Sequence, residues 1–251
     1  MKLAANLTLL WPELPYLDRF DAARKAGFDA VEILFPYDVA VAKTQAALTR
    51  NGLQMILLNA PPPNDTGTPR GFAADLAQTD RFRSDMRLAF EFAQALSAEM
   101  IHVMTGPGAG ARARDTLIGN MRWACAQAPA GITLMLEPLN QTMMPGYFLS
   151  DYALAADVIA AVEANNIALQ FDSYHAQMIH ADAVQVFDQY RPLIRHIQIG
   201  DTPDRGAPGS GAVDFDTLFE RIRISGYDRW VSGEYHPGMA TEKTLDWMKY
   251  A

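Results

Sequence analysis

One local pattern repeats along this chain and limits what it can fold into: a helix-like stretch stops at glycine or asparagine, and a short apolar strand follows at once. Ala26-Gly27-Phe28 leads into Ala30 to Phe35, Asn51-Gly52 into Leu53 to Leu58, and Gly131 into Ile132 to Leu136. Asn165-Asn166 leads into Ile167 to Phe171, and Ser225-Gly226 into Trp230 to Gly233. Glycine and asparagine tolerate the left-handed backbone that closes a helix, so these are helix-to-strand junctions. Strands at Leu3 to Leu9, Met100 to Met104 and Ile194 to Ile199 bring the number to eight. The stretches between them carry apolar residues at helical spacing, as at Leu17, Phe20 and Ala23, or at Phe82, Met86, Ala89, Ala93 and Leu96. Strands alternating with helices imply a parallel sheet, and eight units of about 30 residues match a closed (β/α)8 TIM barrel of the α/β class. A doubly wound open sheet usually has a Gly-rich turn after its first strand. Here that place reads Leu9-Leu10-Trp11-Pro12.

The 251 residues are read as one barrel domain spanning 1–251, and 49% hydrophobic content is enough to fill its core. A net charge of −8 argues against nucleic acid as a partner, because phosphate binding needs a basic surface. Cys125 is the only cysteine, so no internal disulfide can form, and it reads as a packed thiol. With no signal-peptide pattern and no apolar run of membrane-spanning length, the expectation is a cytoplasmic protein without a membrane partner. Barrels of this type often self-associate, which leaves a homo-oligomer open.

The Pro/Gly-rich stretches from Ala60 to Gly71, Thr105 to Gly110 and Asp201 to Gly211 all follow strands. In a barrel those loops form the catalytic face. The run Gly106 to Gly110 lacks the Walker lysine and the full dinucleotide pattern, and reads as a flexible loop.

Polar residues at the ends of the last four strands carry the chemistry. Leu134-Met135-Leu136-Glu137 and Leu169-Gln170-Phe171-Asp172 each end in a carboxylate. His196-Ile197-Gln198-Ile199 puts Gln198 near a strand end with His196 on the same face, and Val231-Ser232-Gly233-Glu234 ends in a third carboxylate. Each residue alone could simply cap a helix or make a wall salt bridge. Together, on neighbouring strands at one height, three buried carboxylates repel unless protons or a cation relieve them. Two glutamates, an aspartate and an amide oxygen form a hard donor set, suited to Mg²⁺ or Mn²⁺ rather than Zn²⁺.

Nearly the whole chain resembles the hydroxypyruvate isomerase family within the xylose isomerase-like TIM barrels. The matching segments are Ala5-Asn6-Leu7, Gly27 to Glu32, Phe35-Pro36-Tyr37-Asp38, Glu137-Pro138-Leu139-Asn140, Pro145 to Leu149, Phe171 to His175, His196 to Ile199, Pro208 to Gly211, and Trp230 to Tyr235. The resemblance implies metal ligation by Glu137, Asp172, Gln198 and Glu234, with Glu137 and Glu234 as the acid/base pair. Related ketose 3-epimerases carry histidine at the place of Gln198, so the match to the isomerase branch is better. Two departures lie near the substrate. The loop after strand three keeps only Arg70-Gly71 of the family's Gly-Glu-Arg-Gly element, and Ala212 stands where the family usually has glutamate.

The expected activity is conversion of a small hydroxy-oxo acid through an enediolate, hydroxypyruvate to tartronate semialdehyde first, a 2-oxo-tetronate next. His175 and Arg205 are candidate contacts to substrate oxygens, Arg70 a further one. Glu32 is read as a hydrogen-bonding support, Met143-Met144 as lining of the mouth, and His102, His180 and His236 receive no role. The competing readings are a 3-epimerase or dehydratase, an apurinic endonuclease and a ligand-binding sensor without catalysis. The endonuclease would need a histidine-rich zinc centre, whereas the chain has five histidines in all.

Overall fold

In the computed structural model, which describes residues 1–60 and 71–250, eight strands close into one barrel. They are β1 (Lys2–Asn6), β2 (Ala30–Ile33), β3 (Gln54–Ala60), β4 (Met100–Val103), β5 (Thr133–Leu136), β6 (Ile167–Asp172), β7 (Ile194–Ile199) and β8 (Trp230–Gly233). All pairs are parallel, and β8 returns to β1. The helices are α1 (Arg19–Lys25), α2 (Val41–Asn51), α3 (Thr79–Leu96), α4 (Gly110–Gln127), α5 (Tyr152–Val162), α6 (Ser173–His180), α7 (Ala183–Tyr190) and α8 (Phe215–Ile224).

All eight expected strands are present, with differences at their ends. The first stops at Asn6 rather than Leu9, because the Leu9 and Leu10 N–H groups turn back onto the Asn6 carbonyl. Gly52 closes α2 in the left-handed conformation, as its residue type suggests. The helix expected to stop at Asn165-Asn166 closes earlier, with Glu163 in that conformation. Asp151, Asp182 and Asp214 cap helix N-termini by accepting backbone N–H groups.

The main core lies between barrel and helices, built from residues such as Phe20, Leu48, Met86, Leu117, Tyr152, Phe187 and Leu218. Each fully buried large apolar side chain there contributes about 1.5–3 kcal/mol. A second cluster fills the barrel's lower interior: Ala4, Ala30, Leu57, Met100, Met135, Ala168 and Trp230 among it. Two residues further along each strand, the same inward face turns polar. Asn6, Glu32, Asn59, His102, Glu137, Gln170 and Ser232 stand above those seven in the same order, all buried. The barrel therefore has an apolar floor and a polar layer over it, and the polar layer carries the site.

Candidate active site

Glu137 follows β5 directly, Asp172 is the last residue of β6, Gln198 the penultimate residue of β7, and Glu234 follows β8 directly. None is more than 4% exposed. Hydrogen bonds tie the four in two pairs. Gln170 Nε2 donates to Glu137 Oε2 (2.9 Å) and to Gln198 Oε1 (2.7 Å). Arg205 Nη2 donates to Asp172 Oδ2 and Glu234 Oε1, both at 2.6 Å. Ligand atoms of Glu137, Asp172 and His175 lie within 4.8 Å of one another. Glu234 stands outside that tightest group and joins it through the shared guanidinium nitrogen.

Glu32 fixes the orientation of Gln198. Its carboxylate, fully buried, takes Gln198 Nε2 at 2.7 Å and Asn6 Nδ2 at 2.8 Å on Oε1, and lies 2.6 Å from His196 Nε2 through Oε2. An acceptor-only carboxylate demands the NH₂ end of the amide, so Gln198 must turn its oxygen the other way, toward Gln170 and the carboxylates.

His175 is oriented from the other side. Its Nδ1 accepts the Asn140 backbone N–H at 3.0 Å. A neutral ring with Nδ1 as acceptor carries its proton on Nε2, which lies 3.9 Å from Asp172 Oδ2. In this tautomer Nε2–H is a donor and offers no lone pair to a cation, whereas the Gln198 amide oxygen does.

Arg205 is delivered by a braced loop. Asp201, fully buried after β7, accepts N–H groups from Thr202, Gly209, Gly211 and Val213, at 2.8 to 3.0 Å. Arg205 takes a left-handed conformation (φ 55°) at the tip, and a Cβ on Gly211 would meet the Thr202 carbonyl oxygen at 1.6 Å. That position accepts only glycine.

Burial dominates the electrostatics. It raises Glu137 well above the usual carboxylate range, with Asp172 and Glu234 adding repulsion. It raises Glu234 to about 8 against the pull of Arg205, and raises Asp172 as well. For Arg205 burial opposes the charge, but Glu234, Asp172 and Glu137 outweigh it and hold the guanidinium charged. Burial pushes His102 down to about 3 and His175 well below its ordinary value, so both rings are neutral. Glu32 is the exception: burial pushes it up, but His196, Gln198 and Asn6 together hold it below its ordinary value. Even with Arg205 present, Glu137 Oε1 and Glu234 Oε2 have no hydrogen-bonding partner. Unpartnered oxygens on two raised carboxylates, beside a third carboxylate and an oriented amide oxygen, fit a divalent cation.

The sequence-derived residues thus fall into one place, with three qualifications. Arg70 lies outside the described residues. Arg205, expected at a substrate carboxylate, spends Nη2 on Asp172 and Glu234; only Nε, without a partner, and Nη1, 3.8 Å from Met143 Sδ, remain for a ligand. Asp172 also caps α6 through Oδ1, as the helix-cap alternative expected, while Oδ2 takes Arg205. Sequence reasoning gave no task to Gln170, which bonds two of the four, or to His102, whose Nδ1 stands 3.4 Å from Glu137 Oε2. The two-residue period was the available signal: Gln170 sits one inward step below Asp172.

A sequence model of the family described as xylose isomerase-like TIM barrel matches residues 20–251. The chain is 38% identical to a Cupriavidus necator protein named 2-oxo-tetronate isomerase, over 99% of this chain and 97% of that protein. It is 33% identical to the Escherichia coli protein named hydroxypyruvate isomerase, over 99% and 98% respectively. A crystal structure from Brucella melitensis, named as an AP endonuclease of family 2, superposes with a TM-score of 0.94 at 36% identity, covering 99% of this chain and 98% of that one. The 3-keto-D-glucoside 4-epimerase of Escherichia coli superposes with a TM-score of 0.78 at 22% identity over 100% of both chains, a likeness of fold alone. With a family match over most of its length and full-length relatives above 30% identity, the chain belongs to the hydroxypyruvate isomerase family of enzymes within the xylose isomerase-like TIM barrels.

Proposed function

We propose that this protein is a divalent-metal-dependent isomerase of small 2-oxo hydroxy acids, converting hydroxypyruvate to tartronate semialdehyde. One observation carries the reading: Glu137 and Glu234 each have one carboxylate oxygen tied by a neighbouring side chain and the other unpartnered, in a buried centre shared with Asp172 and Gln198. Glu137, Asp172, Gln198 and Glu234 would hold Mg²⁺ or Mn²⁺. When bound, such an ion acts as a Lewis acid that stabilises the negative charge developing on the substrate oxygens.

The side chains do the rest. One glutamate takes the proton from C3 of hydroxypyruvate, and the pair returns one to C2, while the C3 hydroxyl loses its proton and the C2 oxygen gains one. His175 Nε2–H donates to a substrate oxygen, and the open Nη1 and Nε of Arg205 meet the substrate carboxylate. Burial in the polar layer keeps bulk water from the intermediate.

A second substrate is favoured by the relatives from Cupriavidus necator and Haemophilus influenzae, both named 2-oxo-tetronate isomerase. A 2-oxo-tetronate undergoes the same reaction with a hydroxymethyl group in place of one C3 hydrogen. The DNA-repair reading draws less support: among the described residues the one cluster of candidate ligands holds a single histidine, and the chain's net charge is −8. No helix of the described residues is long and apolar enough to cross a membrane. Cys125 is buried with its thiol pushed up to about 11 by burial, which supports a packed thiol; as the chain's one cysteine it has no internal disulfide partner, in keeping with a reducing compartment such as the cytoplasm.

The test is NMR of hydroxypyruvate with protein and Mn²⁺-exchanged or Mg²⁺-loaded enzyme in D₂O, followed by a panel of C3 to C4 hydroxy-oxo acids. Deuterium at C2 and appearance of the semialdehyde are expected. Absence of both exchange and turnover across the panel rejects the proposal.

A further inference from the structure

His102 is the buried histidine that the proposed reaction leaves without a task. It lies on the inward face of β4, one step above Met100 and in register with Asn59 on β3 and Met135 on β5. Only 1% of it is exposed. Its Nδ1 stands 3.4 Å from Glu137 Oε2, and neither ring nitrogen has a hydrogen-bonding partner.

A packing role alone accounts poorly for this. Leaving a buried polar atom unsatisfied costs about 1–3 kcal/mol, and a leucine would fill a barrel wall without that cost. The ring also faces an oxygen with a distinct status. Glu137 Oε2 already takes Gln170 Nε2 at 2.9 Å, whereas Oε1 has no partner. The imidazole brings a ring nitrogen to 3.4 Å from that oxygen, so it is placed to steer the carboxylate.

We propose that His102 is a positioning residue: its Nδ1, 3.4 Å from Glu137 Oε2 and unbonded in this structure, closes on that oxygen as an N–H donor when the site is loaded, so that together with Gln170 it pins Oε2 and leaves Oε1 as the atom Glu137 presents to metal and substrate. This rests on the metal-dependent isomerase reading given above. Glu137 is then held on one side by β4 and β6 together, and its free oxygen points to the centre shared with Asp172 and Glu234.

The experiment compares wild type with His102→Leu, which removes the donor, and His102→Asn, which keeps an N–H near the Nδ1 position. Free Mn²⁺ is measured by electron paramagnetic resonance for affinity, and kcat and KM are measured on hydroxypyruvate. His102→Leu is expected to weaken Mn²⁺ binding and lower kcat by about 10–100-fold, the usual effect of losing a group that orients a metal ligand, with KM little changed. His102→Asn is expected to recover most of both losses. Wild-type affinity and kcat in His102→Leu overturn the inference, as does equal impairment of the two variants, which would mean packing alone. Should His102→Leu not fold, His102→Gln, whose amide overreaches the Nδ1 position, replaces it, and wild-type Mn²⁺ affinity there overturns the inference equally. A wild type that binds no Mn²⁺ overturns the metal-dependent reading as well, so the two failures are distinct.

Discussion

Glu32 and Gln198, 166 residues apart in the chain, are joined by a buried hydrogen bond of 2.7 Å across the barrel interior. The carboxylate decides which end of the Gln198 amide faces Gln170 and the proposed cation centre. Glu32→Leu removes the acceptor from Asn6, His196 and Gln198 at once. A buried donor left without its acceptor costs about 1–3 kcal/mol, so with three of them a loss of several kcal/mol is expected in chemical denaturation. Glu32→Gln keeps the shape but can donate as well as accept, so it releases the amide orientation. Mn²⁺ affinity is expected to fall about tenfold in that variant, since losing a group that orients a ligand usually costs 10–100-fold; an unchanged affinity with a stable fold would show that Glu32 does not orient Gln198.

The loop that brings Arg205 to two carboxylates depends on Asp201. Asp201→Ala removes the acceptor of four backbone N–H groups. Hydrogen bonds to a charged group are worth about 1.5–3 kcal/mol each before the loop relaxes toward water. The expected result is a lower melting temperature and a kcat/KM reduced by about tenfold or more, with normal circular dichroism. Full activity in this variant would mean that Arg205 reaches Asp172 and Glu234 without the brace.

How much of this was legible in the sequence follows from which forces are local. Gly52 announces a helix end because the left-handed backbone is a property of that residue alone. Glu163 closes α5 in the same conformation, and nothing in its residue type says so. Glu137, Asp172, Gln198 and Glu234 could be read because a polar residue ending an apolar strand stands out within four letters. For the residues beneath them the two-residue period gives the inward face but not the partners. Gln170, His102 and Asn6 look like ordinary interior polar residues until closure of the barrel brings β2 within reach of β7 across its interior and sets β4 beside β5.

The raised carboxylates make stability depend on pH in a definite direction. Glu234 sits at about 8 in the folded chain against an ordinary 4.5. Between those values the folded chain keeps a proton that the unfolded chain has released, so stability falls as pH rises through this window. His102 works oppositely: at about 3 against an ordinary 6.5, it takes up a proton on unfolding in that range, and stability falls as pH drops below 6.5. Above 6.5 the histidine effect is complete and the carboxylate effect remains. In chelator, the melting temperature is therefore expected to decline from pH 6.5 to about 8. Saturating Mn²⁺ should flatten that decline, because the cation binds the ionised carboxylates. A melting temperature that rises over this range in chelator would contradict the assignment.

Calorimetric titration of Mn²⁺ into wild type and Glu137→Ala, repeated in two buffers of different ionisation enthalpy, tests the shared-cation centre most directly. One Mn²⁺ per chain is expected, with protons released on binding because Glu137 and Glu234 hold them beforehand, and with affinity lost in Glu137→Ala. No saturable binding by wild type, or the same binding in Glu137→Ala, would contradict it.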